Sequence, residues 1–310
     1  MNDPPRLSTR AERLLAEAVR FDVERDRTEL AHRLRACCRP VLESALELQR
    51  AYGGLSWGPE GRSNDLGIVF RKPSADPEHH PVGLREPTMV PIGSIAGAGD
   101  TDTAYIDEAG EIVTEYGLRS ASIEKYIEQA AMLELTPWPR RLQVSIRPPL
   151  GAPLAAALGL SPVPEASDVY QQWWRSESVE MRHLSVPGST EAKADLLQTG
   201  SIDEAARVFA VAARLHPGVA VNVSPAEGVD PVHLSVEEAA SLPSVDAFAA
   251  VPGAQRYPLG TMWDDVTGVV WVVPGADGVT VHRFRLDEAG SIRGWYTLDA
   301  RGVIGRVVKR

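Results

Sequence analysis

The chain has 310 residues, of which 44% are hydrophobic and 24% charged, values typical of a globular protein with a sizeable core. The length favours two domains. The net charge of −10 disfavours binding to nucleic acid by phosphate neutralisation and favours a basic partner. No apolar run approaches the roughly 20 residues that a membrane helix needs, and the N-terminus lacks the pattern of a secretory signal. These features predict a protein without a membrane partner that is cytoplasmic, the alternative being export by a route that leaves no such signal.

The two cysteines, Cys37 and Cys38, are adjacent in the sequence. Neighbouring cysteines rarely pair with each other, and reduced thiols fit a cytosolic protein. Because an adjacent pair is not a metal-ligand spacing, we interpret both as small buried residues on a helix.

Three N-terminal helices are predicted over 9–24, 27–38 and 40–52, because apolar residues recur there at helical spacing. Pro40 suits the first turn of the third helix. The pair Gly53–Gly54 should end that helix, as a left-handed cap requires. An α-helical layer therefore precedes the first β-rich stretch.

Strands are predicted over 65–71 and over 88–93, the latter containing Pro91 and Gly93. The run TAYIDEAGEIVTEY predicts a hairpin whose turn is Asp107–Gly110. Asp107 can accept hydrogen bonds from the turn backbone, and Gly110 can adopt a positive φ. A serine-capped helix over 122–135 should close this domain.

The proline-rich stretch 136–153 predicts a linker, with a strand inside it, between a first domain, 1–135, and a second α+β domain, 154–310. In the second domain, Ser201 with Glu204 predicts a capped helix. The last 50 or so residues predict an antiparallel meander, because β-like runs alternate there with turns that contain Asp and Gly. The tetrapeptide DEAG occurs at 107–110 and again at 287–290. A divergent internal repeat would explain this, but shared turn chemistry is the simpler explanation.

Motifs for nucleotide or metal chemistry are incomplete. Gly97–Gly99 has neither the third spaced glycine nor the GK[ST] of the nucleotide-binding loops. The stretch Asp100–Asp102 lacks the glycine and the terminal glutamate of a calcium loop. The pair His79–His80 lies in a proline-rich loop without helical ligand spacing. We therefore predict no catalytic residue, no metal and no cofactor.

A local excess of acidic residues is the feature on which the functional hypothesis depends. Between residues 100 and 128, eight carboxylates stand against only two basic residues, Arg119 and Lys125. Such a patch attracts a basic protein and speeds its docking, although solubility alone can also explain it. The predicted protein-binding residues are Asp100, Asp102, Asp107, Glu108, Glu111 and Glu115. Glu124 and Glu128 complete the acidic set.

The first half resembles the SUKH superfamily over about residues 28–135. The resemblance is carried by AYGGLSW (51–57), VPIGSIAGAGD (90–100), AYIDEAGEIV (104–113) and SIEKYIEQAAM (122–132), in that order. It implies an α+β domain with a curved antiparallel sheet and flanking helices, in which Gly53, Gly54, Pro91, Gly93 and Gly110 have structural roles. Many bacterial members are immunity proteins that bind and neutralise a cognate toxin, and others are intracellular scaffolds. The resemblance brings no catalytic residues, and it does not cover the second half.

Three hypotheses remain open. The first is a non-catalytic antitoxin whose acidic surface binds a basic toxin domain, with homo-oligomerisation possible. The second is a scaffold or regulatory component of a biosynthetic or secretion system. The third is an enzyme whose site lies in the second half near Trp173, His183 and Asp264–Asp265.

Overall fold

A computed structural model describes residues 7–37, 39–58, 64–68, 88–96, 101–114, 118–135, 142–184, 194–225, 243–260, 267–276, 278–299 and 302–304. Within these residues the chain is α+β, with six helices and antiparallel sheets, as the sequence predicted. The chain divides into two compact units. The first contains 1–136 with 164–171, and the second contains 137–163 with 172–310. The sequence had instead placed 164–171 in the second domain.

The first unit contains a seven-stranded sheet whose strands follow one another in chain order. All of the strand pairings described for this sheet are antiparallel. The strands are β1 (Val19–Arg20), β2 (Leu55–Trp57), β3 (Asn64–Leu66), β4 (Val90–Ala96), β5 (Thr101–Ile106), β6 (Ile112–Thr114) and β7 (Arg119–Ser120). The helices are α1 (Thr9–Glu17), α2 (Arg27–Ala36), α3 (Glu43–Tyr52) and α4 (Ile123–Glu134).

The N-terminal helices are shorter than predicted. Helix α1 ends at Glu17 because the next residues are extended, and Val19 pairs with Ser56 of β2. Helix α3 begins at Glu43, with Leu42 as its N-cap, so Pro40 precedes the helix instead of lying in its first turn. Cys37, expected to be buried, is exposed at the C-terminus of α2.

The core of the first unit lies between the helices and one face of the sheet. Leu55, Leu66, Ile92 and Ile106 from successive strands are almost fully buried there. Gly93 allows β3 and β4 to approach closely, since a Cβ at this position would lie 1.9 Å from the Asp65 carbonyl oxygen. The register between β4 and β5 shifts at this point, between Pro91 and Gly93.

The second unit is built on two sheets and two helices. The six-stranded sheet has the order β13-β8-β12-β11-β10-β9, and the five-stranded sheet runs from β14 to β18 in chain order. The strands are β8 (Leu142–Arg147), β9 (Ser161–Pro162), β10 (Gln171–Arg175), β11 (Val179–Leu184), β12 (Asp195–Thr199), β13 (Ala220–Pro225), β14 (Gln255–Pro258), β15 (Gly268–Gly275), β16 (Gly278–Leu286), β17 (Ile292–Asp299) and β18 (Gly302–Ile304). The helices are α5 (Ala152–Ala157) and α6 (Ile202–Leu215).

Helix α6 contacts β8 and β12 of one sheet and β16 of the other, so that the core of this unit includes both sheets. Ser201 caps α6 as predicted, because its side chain accepts a hydrogen bond from the Glu204 amide. The C-terminal antiparallel meander is also confirmed, as β15 to β18. Strand β8 lies within the stretch that the sequence had assigned to a linker containing a strand, and it pairs with both β12 and β13.

None of the helices formed by the described residues is long and apolar enough to cross a membrane.

Candidate functional site

The predicted turn at Asp107–Gly110 joins β5 to β6 and is held by three hydrogen bonds. The Asp107 amide donates to the Glu111 carbonyl at 3.1 Å, and the Gly110 amide donates to the Asp107 carbonyl at 3.1 Å. The Glu111 amide donates to Asp107 Oδ1 at 2.9 Å. Gly110 has a φ of 85°, a conformation that glycine adopts without strain. The Asp107 carboxylate therefore organises the turn that carries it.

The turn is also attached to helix α3. The Ser44 hydroxyl donates to the Asp107 carbonyl at 2.8 Å. Glu108 is exposed at the tip of the turn, and Glu47 is exposed one helical turn after Ser44. The acidic surface of the turn thus extends onto a helix that the sequence reasoning had not linked to it.

Glu111 is held by two side chains at the base of the turn. The Tyr170 hydroxyl donates to Glu111 Oε1 at 2.6 Å, and Arg119 Nη1 lies 3.9 Å from Glu111 Oε2. The hydrogen bond to Glu111, with burial as a smaller cause, raises the pKa of Tyr170. Tyr170 belongs to the segment 164–171 of the first unit, so its proximity to Glu111 had no signal in the linear sequence.

The other predicted acidic residues are placed differently. Asp102 lies on β5, where its backbone pairs with Ile95, and nothing is described of its side chain. Asp100 and Glu115 lie outside the described residues. Glu128, which the sequence counted toward the acidic surface, is only 5% exposed. Its carboxylate accepts hydrogen bonds from the Ser8 amide at 2.5 Å and the Ser8 hydroxyl at 2.6 Å, inside the unit.

The residues expected to shape the first unit lie around its sheet. Gly53 follows the end of α3, and the Gly54 amide donates to the Leu66 carbonyl at 2.8 Å. Gln49, fully buried on α3, accepts a hydrogen bond from the Ile68 amide at 2.7 Å. Pro91 pairs with Tyr105 in the register between β4 and β5.

In the second unit, His183 pairs with a carboxylate that the sequence reasoning did not single out. His183 Nδ1 lies 2.6 Å from Oδ1 of Asp195, which is fully buried. Asp195 Oδ2 accepts hydrogen bonds from the Leu150 amide at 2.5 Å and the Gly151 amide at 2.9 Å. His183 and Asp195 are twelve residues apart and become neighbours only through the register of β11 and β12.

The residues of the enzyme hypothesis do not converge on one place. Trp173 lies beside Arg182, and Arg182 points to the face of the sheet opposite to that of the adjacent residue, His183. Asp264 and Asp265 lie outside the described residues. Among the residues that are described, no group of three or more His, Cys, Asp or Glu side chains is arranged to hold a metal ion.

Comparisons with protein-family models, with curated proteins and with solved structures gave no match for the chain.

Proposed function

We propose that the chain is a non-catalytic, protein-binding protein of the immunity type that acts in the cytoplasm. It neutralises a toxin by binding the toxin's basic domain through the acidic turn, which we define as Asp107, Glu108 and Glu111. Binding occludes the active site of the toxin or holds the toxin in an inactive form.

The rigidity of the acidic turn is the observation that carries this proposal. Three hydrogen bonds close the turn, and Ser44 ties it to α3. A surface that is ordered before binding loses less conformational entropy when a partner docks. Glu108 is left exposed at the tip, where a basic partner can approach it.

Charge supports the same function. The chain carries a net charge of −10, and the exposed Glu47 adds to the potential around the acidic turn. Complementary charge raises the association rate of two proteins more than it raises their affinity. Arg119 and Tyr170 hold Glu111 at the base of the turn, so Glu108 is expected to contribute most to this steering.

The resemblance to the SUKH superfamily supports the choice of partner. That resemblance implied an antiparallel sheet with flanking helices, and the first unit has seven sequential strands with α3 before β2 and α4 after β7. Toxin neutralisation is the function that the resemblance implies for many bacterial members, and a toxin with a basic domain suits the acidic turn.

The test compares two charge reversals at equivalent turn positions. Glu108→Lys changes the acidic turn, and Glu288→Lys changes the same position of the second DEAG turn. Association of the intact chain with the protein encoded by the adjacent gene, as the candidate toxin, is measured by stopped-flow at low and physiological salt. Glu108→Lys should slow association about tenfold at low salt and flatten its salt dependence. Glu288→Lys should leave both unchanged, and equal rates for the two variants would refute the proposal.

The second candidate function is proton-transfer catalysis in the second unit, which the His183–Asp195 pair favours. Two backbone amides donate to Asp195 Oδ2, while Oδ1 faces His183 Nδ1; the tautomer with its proton on Nδ1 would donate to Asp195 and leave Nε2 as a proton acceptor. Hydrolysis of an activated ester should then fall about a hundredfold in His183→Gln. The control variant His216→Gln changes an exposed histidine at the end of α6. Equal rates for wild type and His183→Gln would eliminate this candidate.

A further inference from the structure

One face of the six-stranded sheet in the second unit is polar. Residues on this face alternate along the strands with core residues such as Val144, Met181, Leu197 and Val221. We call this surface the polar sheet face. It consists of Ser145 on β8, Glu180 and Arg182 on β11, Gln198 on β12 and Asn222 on β13.

The register places these residues side by side. Arg182 pairs with Leu196, Leu196 with Ser145, and Ser145 with Asn222, which forms one row across four strands. Glu180 pairs with Gln198 in the next row. The row from Arg182 to Asn222 spans three strand spacings, or about 14 Å.

The polar sheet face is largely shielded from solvent, yet several of its polar atoms are unsatisfied. Glu180 is 2% exposed and Ser145 is 4% exposed. The Ser145 hydroxyl donates to the Gly260 carbonyl at 3.0 Å. Four buried atoms of this face have no hydrogen-bond partner among the described residues: Arg182 Nε, Gln198 Oε1, Asn222 Oδ1 and the Oε2 atom of Glu180, whose Oε1 atom faces Arg175. Buried polar atoms in native proteins are normally paired, so four on one face require an explanation.

Arg182 is the most unusual of these residues. Its guanidinium carbon lies 5.4 Å from the centroid of the Trp173 ring, which orients the group by a cation–π contact. Burial lowers the pKa of Arg182 to about 10, so the side chain remains charged at neutral pH. No carboxylate within the described parts of the chain forms an ion pair with it.

Glu180 is the acidic residue nearest to Arg182 on its own strand, and it would repel an anion. However, Glu180 Oε1 lies 4.0 Å from Arg175 Nε, so the positive charge of Arg175 partly offsets the negative charge of Glu180. A buried cation is ordinarily paired with an anion. The planar guanidinium of arginine can donate two parallel hydrogen bonds to the oxygens of a carboxylate or a phosphate, whereas the ammonium of lysine cannot.

We propose that the polar sheet face binds a small molecule with a carboxylate or phosphate group, which pairs with Arg182 while Trp173 holds the guanidinium plane. Arg182 as a whole is partly exposed although its Nε is buried, so an oxyanion would approach the guanidinium from its exposed side. Gln198 Oε1 lies diagonally opposite and accepts a hydroxyl or amino donor from the ligand.

Thermal unfolding of the intact chain in chloride buffer tests this site. Sodium phosphate and sodium malonate are the probes, each titrated at constant ionic strength. Both bind only the folded state, so the Tm of wild type should rise with concentration and saturate. The larger of the two rises identifies whether the site prefers phosphate or carboxylate.

Two substitutions decide whether Arg182 is responsible. Arg182→Met keeps a long side chain without the charge, and it should abolish the saturable rise in Tm. The control Arg256→Met alters an exposed arginine of the same unit and should retain that rise. In chloride alone, Arg182→Met should melt no lower than wild type, because an unpaired buried charge has been removed.

If Arg182→Met fails to fold, Arg182→Lys provides the test. Lysine keeps the charge but not the fork, so the affinity for the better probe should fall at least tenfold. An equal affinity in Arg182→Lys, an unchanged response in Arg182→Met, or no saturable rise in wild type would each overturn the proposal.

Discussion

The two DEAG turns, one in each unit, have the same local structure and different surroundings. In the second turn, the Asp287 amide donates to the Ser291 carbonyl at 2.9 Å and the Gly290 amide donates to the Asp287 carbonyl at 2.9 Å. The Ser291 amide donates to Asp287 Oδ1 at 2.7 Å. These are the hydrogen bonds of the Asp107 turn, and φ is 82° at Gly290 against 85° at Gly110.

The difference lies in what each turn contacts. The Asp107 carbonyl accepts a hydrogen bond from Ser44 on α3, whereas Asp287 Oδ2 lies 3.1 Å from Nε of Arg293 on its own hairpin. The same tetrapeptide therefore folds alike in sheets of seven and five strands. Local turn chemistry is sufficient to explain the repeated sequence, and only the first turn is tied to another element by Ser44.

The largest expected effect is a loss of stability at low pH in the second unit but not in the first. His282 on β16 stacks on Phe248 with ring centroids 4.0 Å apart, and burial lowers the pKa of His282 to about 4. The unfolded chain binds this proton near pH 6.5, so the stabilising contribution is complete above 6.5 and is lost as pH falls toward 4. The second unit should lose about 2 kcal/mol over this window, after allowing for partial solvent exposure.

Urea unfolding at pH 7, 5.5 and 4.5 measures this loss, with His282→Gln as the variant that lacks the titrating group. The variant should show a weaker dependence on pH in this window. His32 in the first unit serves as the control position because it is exposed on α2. The variant His32→Gln should show the same dependence on pH as wild type. The assignment fails if wild type and His282→Gln lose stability in parallel.

The next effect tests whether the two turns are equivalent. Gly110→Ala and Gly290→Ala should each destabilise their own unit by about 1–2 kcal/mol, because alanine at a positive φ is strained. Space is not the cause: a Cβ at Gly110 would be 3.8 Å from Ser44 Cβ, and a Cβ at Gly290 would have no neighbour within 4 Å. Urea unfolding gives both values, and a difference above about 1 kcal/mol would show that the surroundings, not the turn, set the cost.

The smallest effect isolates the difference between the turns. Ser44→Ala removes the hydrogen bond to the Asp107 carbonyl and should speed hydrogen exchange of the Glu111 amide about threefold to tenfold. Exchange of the Ser291 amide, its counterpart in the second turn, should not change. Faster exchange at both amides, or at neither, would contradict the anchoring of the first turn by α3.

The features predicted well from sequence were those set by neighbouring residues. Ser122 and Ser201 cap their helices because the capping hydroxyl and the amide that it accepts from are three residues apart. The hairpins of the C-terminal meander follow from turns of Asp and Gly between β-like runs. Helix ends were less accurate where an extended segment competed, as it does after Glu17.

The candidate sites were predicted only in part. The acidic turn and its tip, Glu108, were identified from sequence, but the contacts of the turn with Ser44 and Tyr170 were not. The two residues of each pair, His183–Asp195 and Trp173–Arg182, lie on neighbouring strands of the six-stranded sheet. No single-sequence pattern reports strand register at that separation.

The sequence alone determined the fold class, the principal helices and both DEAG turns, because hydrogen bonds and steric limits within a few residues decide them. The tertiary structure decided which carboxylates serve as surface charge and which are internal, as with Glu108 and the buried Glu128. It also placed Arg182 on the polar sheet face, where no ion-pair partner is found among the described residues. Burial and strand pairing depend on residues that are distant in the chain. The sequence near a charged residue therefore does not report the free-energy cost of placing its charge in the folded protein.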